Sequence, residues 1–148
     1  MNWHTKSFPE LSTNELYKIL QLRCAVFIVE QNCPYQDLDD KDLKAMHLWS
    51  CDNDGNIIAY CRLLPSGISY TEASIGRVAT TITVRNAGLG RVLMQKAVSY
   101  IHDTWNQSAI RISAQLYLDK FYISLGFESV GESYLEDDIP HIEMVKTK

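Results

Sequence analysis

The stretch Arg85-Asn86-Ala87-Gly88-Leu89-Gly90 constrains the fold most, because it joins two patterns of different period. Before it, Ala73 to Val84 is rich in Ile, Val and Thr and reads as a strand. After it, Leu89, Val92, Leu93, Ala97, Tyr100 and Ile101 recur at helical spacing, and the pattern ends near Asp103 to Asn106. A short strand at Ala109 to Ala114 completes a β-α-β unit. Two glycines in the joint permit a tight turn and a close approach of backbone to a ligand. The uncapped amides of the following helix point their N–H groups and positive dipole end at the same place, and Arg85 and Arg91 add charge at the two ends. Taken alone, the segment fits both a phosphate cradle and a plain strand-to-helix turn.

The rest of the chain reads as one domain spanning residues 1–148, with no repeat or linker. Ser12-Thr13-Asn14-Glu15 has capping-box spacing, and Leu16, Ile19, Leu20 and Phe27 then mark the buried face of a helix that runs to Gln31 and stops at Pro34. Trp3 to Phe8 is a thin edge-strand signal. Met46 to Cys51 and Ile57 to Leu64 flank Asn53-Asp54-Gly55-Asn56 as a hairpin. Gly76 interrupts the next strand, where a bulge or a close backbone approach is expected. Leu116 to Leu125 reads as a helix closed by Gly126, with strands from Phe127 to Val130 and from His141 to Val145. The order is that of a mixed α/β sheet with antiparallel hairpins early and the β-α-β unit in the middle.

Composition excludes several classes. A net charge of −4 supplies no basic stripe for nucleic acid. No run reaches the roughly 18 to 20 apolar residues of a membrane span, and Met1 to Lys6 lacks a signal-peptide apolar core, so a cytoplasmic location without a membrane partner is expected. Cys24, Cys33, Cys51 and Cys61 form no Cys-x-x-Cys pair and read as reduced, mostly buried thiols; neither they nor the four histidines show metal-ligand spacing. Acidic clusters at Asp37 to Asp42 and Glu136 to Asp138 suit a cationic small partner, or are simply solvated loops.

About thirty residues after the glycine loop comes Phe121-Tyr122-Ile123-Ser124-Leu125-Gly126-Phe127. With Arg85-Asn86-Ala87-Gly88-Leu89-Gly90 it resembles the two signatures of the GNAT superfamily of N-acetyltransferases: Arg or Gln, two residues, Gly, one residue, Gly or Ala; and Tyr, three residues, Gly-Phe. Val26 to Tyr35, Ile75-Gly76-Arg77-Val78, Ala114-Gln115 and Glu136 to Met144 narrow the resemblance to the ElaA branch, over about Leu11 to Met144. Two positions depart from pattern. Asp138 stands where the branch is expected to carry glycine, and aspartate tolerates positive φ. Gln115 stands near the place of a pantetheine-contacting asparagine. The resemblance implies an α/β fold with a mixed twisted sheet of six to seven strands, helices on both faces, and acetyl-CoA as co-substrate without a metal. It also implies a small-molecule or peptide amine as acceptor; a homodimer is left open.

Acetyl transfer needs a held donor, a neutral amine, an oxyanion site and a proton for the departing thiolate. The resemblance assigns the pyrophosphate to the amides of Asn86, Ala87, Gly88, Leu89, Gly90 and Arg91 beside Arg85, and the pantetheine arm to the strand edge at Val78, Ala79 and Thr80 with Gln115 nearby. The Val78 N–H is then placed for the oxyanion. Tyr122 is the expected proton donor, since phenol and thiol have intrinsic pKa values of roughly 10 and 8.5. The base for the amine is open among Glu30, His47, Glu136, Asp137 and His141, with Glu30 and His141 as the site residues and His47 read as structural. Arg62 and Arg77 read either as carboxylate binders or as ion pairs with Asp39, Asp42 or Glu136. Cys33 lacks the local histidine signature of a nucleophile. Two other readings compete: a non-catalytic acyl-CoA-binding or sensing domain, which does not need Tyr122, and a Rossmann-type nucleotide binder, whose acidic residue about 20 positions downstream is missing.

Overall fold

A computed structural model describes residues 2–148. Seven strands form a single mixed sheet: β1 (Asn2–Ser7), β2 (Met46–Cys51), β3 (Ile57–Leu64), β4 (Ala73–Thr80), β5 (Ile110–Gln115), β6 (Glu128–Glu136) and β7 (Ile139–Lys146). Their spatial order is β1-β2-β3-β4-β5-β7-β6. Every neighbouring pair is antiparallel except β4–β5, which a helical crossover makes parallel.

Helix α1 (Thr13–Arg23) begins with the expected box: the Glu15 amide donates to Ser12 Oγ at 3.0 Å, and the Ser12 amide donates to Glu15 Oε1 at 2.8 Å. It continues as a wider π-helical stretch to Glu30, one residue short of the expected Gln31. Helix α2 (Leu89–Ser99) also ends in a π-helical turn, Tyr100–Thr104. The two helices cover opposite faces of the sheet. Ile19, Leu22, Val26 and Phe27 pack with Trp49, Tyr60 and Ala79, whereas Leu89, Leu93, Met94, Ala97 and Ile101 pack with Leu48, Ala59, Cys61, Leu63 and Ile75. Strand β3 lies between them, and all eight of its residues are buried. The expected stripes shift slightly: Leu16 and Leu20 are only partly buried, and Val92 yields its place to Met94.

The Leu116 to Leu125 helix divides into a 3₁₀ turn, Leu116–Leu118, and α3 (Asp119–Ser124). Its end is a Schellman cap. The Gly126 amide donates to the Ile123 carbonyl at 3.0 Å, the Phe127 amide donates to the Tyr122 carbonyl at 3.1 Å, and Gly126 has φ +98°. The Gly-Phe pair of the motif therefore stops the helix and turns Phe127 into the core. Two expectations fail. Strand β4 ends at Thr80 instead of Val84, because Ile82–Val84 coil into a 3₁₀ turn. The cysteines are not mostly buried: only Cys61 is, while Cys24 is exposed and Cys33 and Cys51 are intermediate.

Candidate active site

Strands β4 and β5 pair only at Ala73–Ile110 and Ser74–Arg111, then separate, so the β4 edge from Ile75 to Thr80 has no β5 partner. A bulge accompanies the opening. Between the Tyr60–Ala79 and Arg62–Gly76 pairs, β4 carries an extra residue, leaving Arg77 and Val78 unmatched by β3. The left-handed residue of this bulge is Arg77, at φ +51°, and not the glycine beside it. Phe27 and Tyr35 explain how a bulky residue holds that conformation: the Arg77 guanidinium lies over both rings at 5.5 Å, with Nε 2.9 Å from Asp37 Oδ1 in a charge contact too oblique for a hydrogen bond.

The separated strands wall a cleft of about 1130 Å³. At one end is the glycine loop. Gly88, the residue before α2, adopts φ +78° and ψ 6°, and no side chain caps the amides behind it. A Cβ at Gly88 would meet nothing within 4 Å, so the glycine is required by its backbone angle, and the space in front of it is open to the cleft. Asn86 is also left-handed, at φ +70°. This donor set of orphan amides at a helix start suits a phosphate group.

The two arginines are less free than their charges suggest. Arg85 makes a fork pair with Glu30, at 2.7 and 2.9 Å, and also donates to the Thr80 carbonyl at 2.9 Å. Arg91 donates to Ser124 Oγ at 2.7 Å and lies over the Phe121 ring. Glu30 thus binds the glycine loop to the end of α1, which removes it as a free base in this arrangement; the short spacing of Glu30 to Gln31 and Tyr35 gave no sign of a partner 55 positions away.

Val78, Ala79, Thr80, Gln115 and Tyr122 line the cleft with Leu89, Gly90 and Arg91, Ala79 being largely buried in the sheet; Ala87 closes the turn through its amide to the Val84 carbonyl at 3.3 Å. The Tyr122 ring is wedged edge-on between Phe121 and Phe127. Burial, with Cys61 and Tyr117 nearby, pushes its phenol well above the ordinary value. It is therefore fully protonated at neutral pH, and a weaker acid than the intrinsic comparison with a thiol implies.

The other end of the cleft is formed by the β6–β7 hairpin and the segment after α1. Asp137 and Asp138 turn the hairpin with φ +51° and +62°, so aspartate does occupy the positive-φ position expected of glycine. The Cys33 thiol donates to the Asp137 carbonyl at 3.3 Å, binding the hairpin to the α1 side. His141 lines this end, its Nδ1 2.7 Å from the Ile139 carbonyl and its Nε2 3.3 Å from Glu136 Oε2. Tyr134 stacks on its ring and bonds through its hydroxyl to Ser113 Oγ. No sequence spacing pointed to Ser113 or Tyr134, because only the pairing of β5, β7 and β6 side by side joins them to His141.

A charge network borders the cleft, with Asp39, Arg62 and Arg77 in its lining. Arg23 contacts Asp37 at 3.0 Å and Asp42 at 2.7 Å, and Arg62 contacts Asp39 at 2.8 Å and Asp42 at 3.0 Å. Arg62 and Arg77 are thus the ion-paired alternative, with Asp37 in place of the anticipated partners for Arg77. Burial raises the Asp42 carboxyl, but Arg23 and Arg62 outweigh it and hold the group below the ordinary carboxylate range. His47 is structural: Nε2 meets the Asp42 carbonyl at 3.0 Å and Nδ1 the Tyr60 hydroxyl at 2.7 Å, so neither nitrogen is free. Among the described residues no His, Cys, Asp and Glu grouping suits a metal ion, and no helix is long and apolar enough to cross a membrane.

Comparison with known proteins agrees with this architecture. A family model described as an acetyltransferase (GNAT) domain matches residues 11–148. Protein ElaA of Escherichia coli is 42% identical over 148 residues, covering 99% of this chain and 96% of ElaA. The crystal structure of an acyl-CoA N-acyltransferase from Pseudomonas aeruginosa superposes with a TM-score of 0.93 at 41% identity, covering 99% of this chain and all of that one. An aminoglycoside 6′-N-acetyltransferase complexed with coenzyme A shares the fold, with a TM-score of 0.72 at 15% identity and coverage of 97% and 96%. Matched over nearly its whole length in sequence and structure, the chain belongs to the GNAT acyltransferase superfamily, in its ElaA-like branch.

Proposed function

We propose that this protein is an acetyl-CoA-dependent N-acetyltransferase that passes the acetyl group directly to a primary amine within a ternary complex. The observation that carries the reading is the single cleft shared by the β4–β5 opening, the uncapped start of α2 and the Tyr122 ring. Coenzyme A is a phosphate-bearing molecule with a peptide-like arm. The α2 amides suit its pyrophosphate, and the unpaired β4 edge from Val78 to Thr80 suits the arm as an added strand. The aminoglycoside acetyltransferase complexed with coenzyme A supports this use of the fold.

Each step of transfer has a group in the cleft. The Val78 N–H, unmatched by β3, is available to an oxyanion on the thioester carbonyl; such donors contribute about 10²- to 10³-fold in rate. Tyr122, held protonated, donates to the departing thiolate as an N–H proton of the intermediate restores the phenol, so no buried phenolate is left behind. The acceptor enters between the β6–β7 hairpin and Tyr35, opposite the glycine loop. The location consistent with this chemistry is the cytoplasm, where acetyl-CoA is made.

The test is release of free coenzyme A from acetyl-CoA over a panel of polyamines, aminoglycosides, amino acids and lysine peptides. An amine-dependent rise in thiol is expected. Binding of acetyl-CoA in a thermal shift without thiol release from any amine would instead make the chain a sensing domain.

A further inference from the structure

We propose that His141 is the base that takes the proton from the acceptor ammonium, with Glu136 as its positioning partner; this deepens the acetyltransferase reading and rests on it. Hydrogen-bond direction fixes the ring. A carbonyl oxygen can only accept, so the 2.7 Å contact from Nδ1 to the Ile139 carbonyl puts the hydrogen on Nδ1. The lone pair of the neutral ring is therefore on Nε2. That nitrogen faces Glu136 Oε2 at 3.3 Å, which sets two acceptors against each other with no hydrogen between them. An alkylammonium supplies what is missing by donating to both, and an imidazolium does the same once the proton has moved.

The ring is held for this task. It is buried, stacked on Tyr134 with centroids 6.2 Å apart and planes at 25°, and Tyr134 is itself bonded to Ser113 on β5. His47, the other buried histidine near the cleft, has both nitrogens occupied, and Glu30 is committed to Arg85. Charge points the same way. Asp37, Asp39 and Asp42 are each matched by an arginine, whereas Glu136 and Asp137 have no Arg or Lys partner among the described residues. The acceptor end is thus anionic around Nε2, and suits an unhindered alkylammonium.

The ammonium N–H bond breaks, its proton goes to Nε2 and later to solvent, and the nitrogen lone pair forms the C–N bond to the thioester carbon. As the C–S bond breaks, the sulfur leaves with its electron pair and takes the Tyr122 proton, while the second N–H proton of the intermediate restores the phenol. Tyr134 and Glu136 of the hairpin lie against His141, Gln115 of β5 pairs beside it, and Asp137, Tyr35, Tyr70 and the paired Arg77 line the same cleft.

Two measurements test the assignment. In long-range ¹H–¹⁵N spectra of labelled protein at pH 8, with the ring signals identified by their loss in His141→Gln, the hydrogen is expected on Nδ1; finding it on Nε2 overturns the proposal whether or not the protein is an enzyme. In coenzyme A release, H141Q is expected to lose about 10²- to 10⁴-fold in kcat/KM with propylamine. It should lose far less with trifluoroethylamine, which is already unprotonated at that pH and needs no base. Equal losses with both amines make His141 structural and overturn its role. Glu136→Gln, at a half-exposed position that threatens folding little, is expected to raise KM for propylamine more than for trifluoroethylamine, because it removes the charge of one of the two acceptors that meet an alkylammonium. An unchanged KM for propylamine removes Glu136 from the assignment. No thiol release by the unaltered protein with any amine overturns the acetyltransferase reading and the base role together, whereas normal release with an unaffected H141Q overturns the base role alone.

Discussion

Gly88→Ala and Gly90→Ala separate what the glycine loop contributes to folding from what it contributes to binding. At Gly88 a methyl meets no atom within 4 Å, so packing charges nothing, but φ is +78°. An L-residue held in that region costs about 1 to 2 kcal/mol. For a chain of this length, about 4 °C of Tm accompanies each kcal/mol, which gives a loss of roughly 4 to 8 °C. At Gly90 φ is not positive, and the added Cβ comes only to 3.8 Å from Phe121 Cζ, an ordinary contact. Removing a helical glycine there gains up to about 1 kcal/mol, so Tm should hold or rise by a few degrees. Both glycines line the cleft, however, so on the proposed reading the methyls crowd a phosphate at the α2 amides, and each charge-assisted hydrogen bond lost there removes about 1.5 to 3 kcal/mol of affinity. Both variants should bind coenzyme A at least tenfold more weakly. Thermal unfolding with and without ligand reads the two effects at once, because saturation at 100 times Kd adds about 2.7 kcal/mol to the stability of a binding-competent protein. A destabilised G88A that still gains the full ligand-induced shift, beside a G90A that does the same, would show that the loop is a turn and nothing more.

Tyr122→Phe should fold normally, since the ring is fixed by Phe121 and Phe127 and not by the hydroxyl, and should lower kcat while leaving coenzyme A affinity intact; undiminished turnover removes Tyr122 from the mechanism. Asp42→Asn should cost about 3 to 5 kcal/mol at neutral pH, because it leaves Arg23 and Arg62 short of their shared buried partner, and denaturant unfolding measures it. Since the folded carboxyl of Asp42 sits below its unfolded value of about 3.9, its contribution is whole above that pH and is lost as pH falls through the lower folded value. The gap between D42N and the unaltered protein should therefore narrow under acid, and a constant gap argues against the pairing. Glu30→Gln releases Arg85 from its fork pair, so coenzyme A affinity should rise and depend more steeply on salt; weaker binding would mean that the pair itself shapes the loop.

Local chemistry made much of this legible. Ser12 and Glu15 cap α1 because a serine and a glutamate three apart satisfy each other's backbone amides wherever they occur. Gly126 ends α3 because its positive φ closes the Schellman bonds, and Gly88 opens α2 for a similar backbone reason. Each such signal spans fewer than ten residues, so the chain announces it before it folds. The exact end of β4 and the division of the last helix were not readable, since Ile82-Thr83-Val84 and Leu116-Tyr117-Leu118 have strand or helix propensity, yet in the fold they are short 3₁₀ turns with Ile82 and Tyr117 exposed.

The sequence alone determined that a strand, a glycine turn and an amphipathic helix stand in succession, with a tyrosine on a capped helix behind them, because period and turn chemistry are properties of neighbours along the chain. Only the tertiary structure decided that β4 leaves β5 after two pairs, that Arg77 and not Gly76 takes the left-handed turn of the bulge, and that Glu30 closes on Arg85. It alone set His141 between the Ile139 carbonyl, Glu136 and the Tyr134 ring. The physical reason is that ion pairs, stacking and ring tautomers depend on partners brought together by sheet order, and a sequence carries no distance between residues that are not neighbours.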